Sequence, residues 1–561
     1  LSSKKRSREV SSGALTPRGV NPEHPATIGG LLRRSVERAP RADAIAMTAE
    51  TLSYQELDRR SAVMAAALVA AGAGKGTRIA LLAPDGILWV TTFLAATRIG
   101  ALVIAVSTLA TAPELAHILR HSDTQILIGV RRFLRHDYAM RLETAFPELT
   151  RHGGGPLYLE SAPYLRAAWL DDATGLRWAS THAALLDLPA PGAAIVAAME
   201  TEVVASDDAV IIYTSGSSSL PKAVVHSQGT AAQHPVVLAR YFKLTPADRM
   251  MPLLPAFWVG GLTMLLEVLC TGATLVYPMS PATDDIVAAA TQLRVNRVNC
   301  WGPQIARIRD ALAADGIDPD TFRGLGPHRG PDGQMLPLTH TANMLGMTES
   351  FGPHSAEPTG DLLPAQQRGA SGRTTSDFER RIVDPETGEV LGVGEIGELQ
   401  LRHGGLMRGF YKIDDDQVFT RDGFYPTGDS ARLDCDGYLF FEGRRSDMMK
   451  TGGVNVSRME VEAALRKLPG IALPIVLPLP DAAAGQIVVA AVVPVQGHAL
   501  TEATLKAGLR ELIASYKIPR RIVVIGEDDV PWTPSNKIKL GEMGKLVAKL
   551  IDHGSSAQSA A

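Results

Sequence analysis

Tyr213-Thr-Ser-Gly-Ser-Ser-Ser-Leu-Pro-Lys222 follows the apolar run Asp208-Ala-Val-Ile-Ile212. A β-like segment therefore runs straight into a turn rich in hydroxyls, with one glycine and one lysine. Serine-glycine clusters between hydrophobic elements are usually polar surface loops. The same composition also makes a phosphate cradle: backbone N–H groups and hydroxyls converge on phosphate oxygens, glycine lets the backbone approach, and lysine adds a point charge. The spacing departs from the Walker pattern, and no Lys-Ser/Thr closes the loop. On its own the stretch fits both readings, so the rest of the chain decides.

At 561 residues the chain is too long for one ordinary core, and at least two domains are expected. Apolar residues at 45% and charged residues at 20% are ordinary for a globular protein and argue against a disordered chain. The net charge of −3 gives no overall electrostatic case for nucleic acid. Cys270, Cys300 and Cys435 are far apart without CxxC spacing, which argues against a zinc site or a disulfide framework and fits a reducing, cytoplasmic compartment. No run of about 18 apolar residues predicts a membrane span. The opening Leu1-Ser-Ser-Lys-Lys-Arg-Ser-Arg-Glu9 is basic without an apolar core segment, so it reads as a disordered arm over 1–26 rather than a secretory signal. The tail 551–561 is expected to be loose.

Order is expected from Thr27. Ser53-Tyr-Gln-Glu56 and Thr111-Ala-Pro-Glu114 read as capping boxes that open helices. Between and after them, strands at 78–83, 102–106 and 125–128 alternate with a helix at 88–99, the rhythm of an α/β fold with a largely buried parallel sheet. Residues 132–205 are weakly patterned and read as an irregular connection with surface helices. Strands return at 210–213, 274–277 and 296–300. From Gly394 short strands at 397–401 and 437–441 suggest a small β-rich subdomain. A third capping box, Ser457-Arg-Met-Glu460, opens a compact α+β unit with strands at 471–477, 486–493 and 521–525 and a helix at 505–514. The expected architecture is a large N-terminal domain (27–445) of α/β subdomains plus the β-rich subdomain, followed by a small α+β C-terminal domain (446–550).

Four further stretches align with the opening loop: Gly346-Met-Thr-Glu-Ser-Phe-Gly352, Tyr425-Pro-Thr-Gly-Asp429, Glu442-Gly-Arg-Arg-Ser-Asp-Met-Met-Lys-Thr-Gly-Gly453 and Pro534-Ser-Asn-Lys-Ile538. Any one of them is weak. All five, in this order, resemble the adenylate-forming superfamily of acyl-CoA synthetases, beetle luciferases and peptide-synthetase adenylation domains, over nearly the whole chain. The resemblance implies two half-reactions. A carboxylate attacks the α-phosphate of ATP to give acyl-AMP and pyrophosphate, and a thiol then attacks the mixed anhydride. Bringing a carboxylate up to a polyanion requires charge to be neutralised.

By that resemblance, Thr214, Ser215, Gly216, Ser217, Ser218 and Lys222 hold the β- and γ-phosphates. Thr348 contacts the α-phosphate, and Glu349 holds Mg²⁺, a hard cation that keeps several waters. Taken alone, Thr348-Glu349 would be an ordinary helix-start pair. Asp429 is implied to bind the ribose hydroxyls, and Arg444 the ribose and phosphate side. Lys537 is the catalytic lysine of the first step. Ser446 is the hinge of a domain rotation, with Asp447 beside it. The rotation withdraws Lys537 and brings Lys450, Gly452 and Gly453 toward the adenylate, opening the thiol path. Trp258 in Pro255-Ala-Phe-Trp-Val-Gly-Gly261 falls where many acyl-CoA synthetases have a histidine; with Gly260 and Gly346 it is implied to line the acyl tunnel. As an isolated residue it could equally be a core tryptophan.

The chain departs from the pattern in places. Ser219 and Ala223 stand where the family loop has glycine, and Asn536 stands before the lysine. Leu345 replaces an aromatic that stacks on adenine, forfeiting about 0.5–1.5 kcal/mol, with Phe351 as a candidate substitute. The segment 322–340 is thin compared with the family's adenine-side strand and following helix. The expectation is an AMP-forming acid–thiol ligase acting on a fatty or other apolar acid with ATP, Mg²⁺ and coenzyme A. It carries no nucleic-acid partner, and a homodimer is left open. The rivals are an acyl-AMP ligase serving a separate carrier protein and a nucleotide-binding homologue impaired in catalysis. Pyrophosphate release with a panel of acids separates an active enzyme from the impaired homologue.

Overall fold

The computed structural model describes residues 24–214, 221–300, 303–325, 340–376, 378–444, 448–451, 454–532, 538 and 540–558. The expected N-terminal arm lies almost wholly outside them. Thr27 caps the first helix, Ile28–Arg38, by accepting from Gly30 N.

The three capping sequences all start helices, but their acidic residues do different work. Ser53 Oγ accepts from Glu56 N at the start of Tyr54–Ala70, while the Glu56 carboxylate turns outward to Arg59 and Arg60. Glu114 closes a full box at the start of Ala112–His121, accepting from Thr111 N at 2.9 Å. Ser457 accepts from Glu460 N at the start of Arg458–Arg466, but the Glu460 carboxylate goes to Lys517. A capping pattern predicts the helix start well, because the N–H groups of the first turn need acceptors. It does not decide where a long carboxylate finds its best partner.

The main sheet has eight strands in the order Gly409–Phe410, Lys222–Ser227, Asp208–Thr214, Leu102–Ala105, Arg78–Leu82, Ile126–Gly129, Ala167–Leu170, Ser180–Thr181. It is parallel from Asp208–Thr214 to the Ser180–Thr181 edge, and antiparallel at the other end. The continuous apolar strands Leu102–Ala105 and Ile126–Gly129 are buried at every position, as a sheet covered on both faces requires. Residues 132–205 are more than an irregular connection: Ala167–Leu170 and Ser180–Thr181 supply two strands of this sheet. Both are too short to show a period.

A second sheet of five strands, Arg297–Asn299, Arg249–Pro252, Thr274–Val276, Asp43–Ala46 and Thr51–Ser53, is parallel except at its last pair. The β-rich part is a four-stranded antiparallel sheet of Glu379–Val383, Gly397–Arg402, Tyr425–Leu433 and Leu439–Arg444.

The small domain is built on the strands Ile471–Asp481, Gly485–Pro494 and Arg521–Val524. Its sheet is apolar on both faces, with period 2. Val476, Val488, Ala490 and Val492 pack against Val461 and Leu465 of Arg458–Arg466 and Leu505 and Leu509 of Glu502–Arg510. Ile475, Leu477, Val489, Ala491 and Val493 pack against Met543 and Val547 of the last helix, Leu540–Gln558. That helix runs as far as Gln558.

Candidate active site

Strand Asp208–Thr214 carries Tyr213 and Thr214 to the carboxyl end of the parallel strands, the usual place for a ligand in an open α/β sheet. Strands Asp208–Thr214 and Lys222–Ser227 pair antiparallel, and the last pair of the register is Thr214 with Lys222. Lys222 is thus already in the second strand, half-buried, with Nζ 4.9 Å from the centroid of the Phe410 ring. Ser215, Gly216, Ser217 and Ser218 lie outside the described residues.

Thr348 and Glu349 occupy the turn of a β-hairpin formed by Leu345–Met347 and Gly352–Ala356. They do not begin a helix. The turn is anchored from three sides. Ser350 Oγ accepts from Met347 N and donates to Gly352 O. His226 Nε2 donates to Thr348 O at 2.8 Å, which ties the turn to strand Lys222–Ser227. Met407 N donates to Glu349 O at 2.8 Å. Burial holds His226 neutral, with its pKa lowered to about 3 despite the partial offset from the Thr348 carbonyl. A neutral ring can therefore keep the Nε2–H that this bond needs.

Glu349 is half-buried, and the Tyr425 hydroxyl donates to its Oε1 at 3.2 Å. Among the described residues no cation pairs with its carboxylate. Tyr425 heads the strand that also carries Asp429, where burial alternates residue by residue. Asp429 is 1% exposed, its N–H held by Thr427 Oγ1 at 3.0 Å. Its cross-strand neighbour is Arg444, at the end of Leu439–Arg444. The ladder therefore brings together two residues that the motif reading linked only by resemblance.

Phe351 is not available to stack on a nucleotide. It is fully buried, edge-on to the His226 ring at 4.8 Å, and takes a φ of +53°. That strained backbone is tolerated because the surrounding packing over-determines it. Leu345 is also buried.

Trp258 is half-buried at the N-cap of helix Val259–Thr271 and packs against the main hydrophobic core. Its ring meets Phe257 on one side and Tyr516 of the small domain on another. The preceding loop is pinned by Asp85, whose Oδ1 accepts from Ala256 N at 2.8 Å. A Cβ on Gly261 would lie 2.3 Å from the carbonyl oxygens of Leu254 and Pro255, so only glycine fits there. Gly260 tolerates a Cβ better, its nearest neighbour being Leu254 Cδ1 at 3.1 Å. A Cβ on Gly346 would lie 2.5 Å from Gly352 O, so that glycine serves the hairpin itself. Helix Val259–Thr271 reaches the Glu349 hairpin through Thr263, whose Oγ1 donates to Phe351 O.

In the small domain, Lys450 is exposed on strand Met448–Thr451, its N–H donating to Gln486 Oε1. Ser446, Asp447, Gly452, Gly453 and Lys537 lie outside the described residues, as does the Arg444 side chain.

The motif reading missed Tyr425, His226 and Asp85. Tyr425 could have been found, since it heads a quoted motif. His226 and Asp85 act through bonds to distant backbone groups, which leave no trace in local spacing.

These residues suit a magnesium–nucleotide complex. Among the described residues the half-buried Glu349 carboxylate has a single hydroxyl partner, which leaves coordination capacity for a hard cation. Among the described residues no cluster of three His, Cys, Asp or Glu could hold a metal. Asp429 is covered, so contact with a ribose requires the groups over it to part.

The sequence matches the model for AMP-binding enzymes over residues 32–411, and the model for the C-terminal domain of AMP-binding enzymes over 460–537. It is 28% identical over 508 residues to a sulfoacetate–CoA ligase of Cupriavidus necator, covering 87% of this chain and 91% of that protein. It is 27% identical over 527 residues to a long-chain-fatty-acid–CoA ligase of Mycobacterium tuberculosis, covering 91% and 96%. Its fold matches a double mutant of o-succinylbenzoate CoA synthetase from Bacillus subtilis, with a TM-score of 0.69, 21% identity and coverage of 91% and 96%.

Proposed function

The chain belongs to the AMP-binding enzyme family, and we propose that it activates a fatty or other apolar carboxylic acid and passes the acyl group to coenzyme A. Acid–thiol ligation with ATP, Mg²⁺ and coenzyme A is the chemistry of this family and of this chain. The apolar acid is the finer part of the reading, because the acids named for its relatives range from sulfoacetate to long-chain fatty acids.

The observation that carries the reading is the Glu349 hairpin. It sets a carboxylate with spare coordination capacity beside the strand that leaves the Ser-Gly loop, and the His226–Thr348 bond fixes the two together. Glu349 would hold Mg²⁺, which when bound offsets charge on the phosphates. Lys222 and the residues before it would hold the β- and γ-phosphates. Thr348 would meet the α-phosphate, and Asp429 with Arg444 the ribose side. Lys537 would stabilise the first transition state, and the segment from Ser446 to Gly453 would carry the rotation that admits the thiol. The two domains would divide near residue 445.

The acyl side is supported by composition. The helix start Trp258-Val-Gly-Gly-Leu-Thr-Met264 holds no ionisable side chain. It offers no cation for a sulfonate and no carboxylate for an amine. Asp85, beneath it, is engaged by Ala256 N.

The test is acid-dependent pyrophosphate release and coenzyme A consumption across sulfoacetate and short, medium, long and aromatic acids. Turnover is expected to favour apolar acids. Turnover with sulfoacetate alone would overturn the apolar assignment. Pyrophosphate release without coenzyme A consumption would replace coenzyme A by another thiol acceptor.

A further inference from the structure

The two domains touch at one corner where the groups are unusually well placed. Lys517, just after Tyr516 in a short turn of the small domain, is 4% exposed. Its Nζ lies 2.6 Å from Glu460 Oε1 within the small domain and 3.1 Å from Glu114 Oε1 on the large domain. Glu114 divides its oxygens: Oε1 faces Lys517, while Oε2 accepts from Thr111 N and Oγ1 to cap its own helix. Beside this pair the Trp258 and Tyr516 rings meet edge to face, with centroids 5.7 Å apart and planes at 82°. Thr111 Oγ1 also reaches Leu512 O at 3.4 Å.

The two carboxylates are not equivalent to the lysine. Glu460 travels with it in any movement of the small domain. Glu114 stays behind, still bound to its cap. A buried ammonium is stable only with close counter-charges, and removing one partner of such a group is costly. Burial alone would lower the Lys517 pKa, but Tyr516, Glu114 and Glu460 outweigh it and raise it, so the group stays charged. Glu460 Oε2 is itself buried without a partner among the described residues.

We propose that Lys517 is a positioning residue that, by engaging Glu114, holds the small domain in one of its working orientations, with Tyr516 set against Trp258. The bond forms only when the domain is docked this way, so it biases the balance between orientations and therefore between the two half-reactions. It also ties domain position to the loop bearing Trp258, so that the acyl side is shaped by both domains. The proposal rests on the ligase reading only for its kinetic consequence.

The test is Glu114→Gln in the full chain. Glutamine still accepts from Thr111 N, so the helix cap survives and only the charge is lost. Acyl-AMP formation from acid and ATP, and thioester formation from supplied acyl-AMP and coenzyme A, are measured separately. The ratio of the two rates is expected to move by about fivefold or more, a typical size for coupling between sites. Tyr516→Leu, which breaks the other contact at this corner, is expected to move it in the same direction. Independently of any activity, hydrogen exchange in Ala112–His121 and Ser515–Lys517 is expected to quicken in Glu114→Gln. An unchanged ratio, equal losses in both half-reactions, or opposite shifts in the two variants would overturn the proposal. If the wild-type chain forms no acyl-AMP, the ligase reading falls, and the exchange measurement still decides the contact: unchanged exchange would overturn it.

Discussion

The Tyr425 hydroxyl donates a 3.2 Å hydrogen bond to Oε1 of Glu349. The two residues sit 76 positions apart, on the strand that carries Asp429 and on the hairpin turn that follows Met347. The bond aims one carboxylate oxygen, and among the described residues no side chain bonds the other. It gives the Glu349 assignment a second handle.

Tyr425→Phe is expected to keep the fold and lower pyrophosphate release by about tenfold, the order of one hydrogen bond to a charged group. Glu349→Gln is expected to cost about 10²-fold or more, as for loss of a positioned charge in a water-poor site. A magnesium titration separates the two: the phenylalanine variant should regain rate at high magnesium, and the glutamine variant should not. Equal behaviour at all magnesium concentrations would remove Glu349 from the metal.

Trp258→Ala is expected to admit longer or bulkier acids, read as a shift in relative kcat/KM across a chain-length series. Because the side chain is only half-buried, the melting temperature should drop by no more than about 4 °C. An unchanged acid preference with a large loss of stability would return Trp258 to a purely structural role.

Asp85 makes a pH-dependent contribution. Burial raises its pKa from 3.8 to about 7, with the Ala256 N–H pulling the other way, and the buried Tyr277 hydroxyl lies near enough to feel its charge. Below 3.8 it is protonated in both folded and unfolded chains. Between 3.8 and about 7 only the unfolded chain has lost the proton, so the fold loses stability as pH rises through that window and no more above it. Asp85→Asn keeps an acceptor for Ala256 N without the charge. Its advantage over wild type in denaturant unfolding should grow from pH 4 to pH 7 to about 2–4 kcal/mol and then level off. A pH-independent difference would show that Asp85 stays ionised throughout.

Lys537→Ala is expected to abolish acyl-AMP formation, by about 10²–10³-fold, yet to convert supplied acyl-AMP and coenzyme A to thioester at close to the wild-type rate. A parallel loss in both half-reactions would mean that Lys537 is not confined to the first.

Much of the architecture was legible in the sequence because local physics writes it there. The Thr111 and Ser457 caps, the strands over 471–477 and 486–493, and the buried run Leu102–Ala105 each follow from where backbone donors need acceptors and which side chains must leave water. The order of the five motifs identified the family. Partnership across the fold was decided only by tertiary structure. Glu460 has the spacing of a capping residue yet binds Lys517, 57 positions away, and Lys517 reaches Glu114 across 403 positions. Phe351 has the sequence position of a ring that could face adenine, but a φ of +53° and the His226 ring turn it inward. Periodicity and caps act over a few residues and specify which face is buried. Which charge meets which depends on how the packed elements meet in space, and a burial pattern carries no record of that.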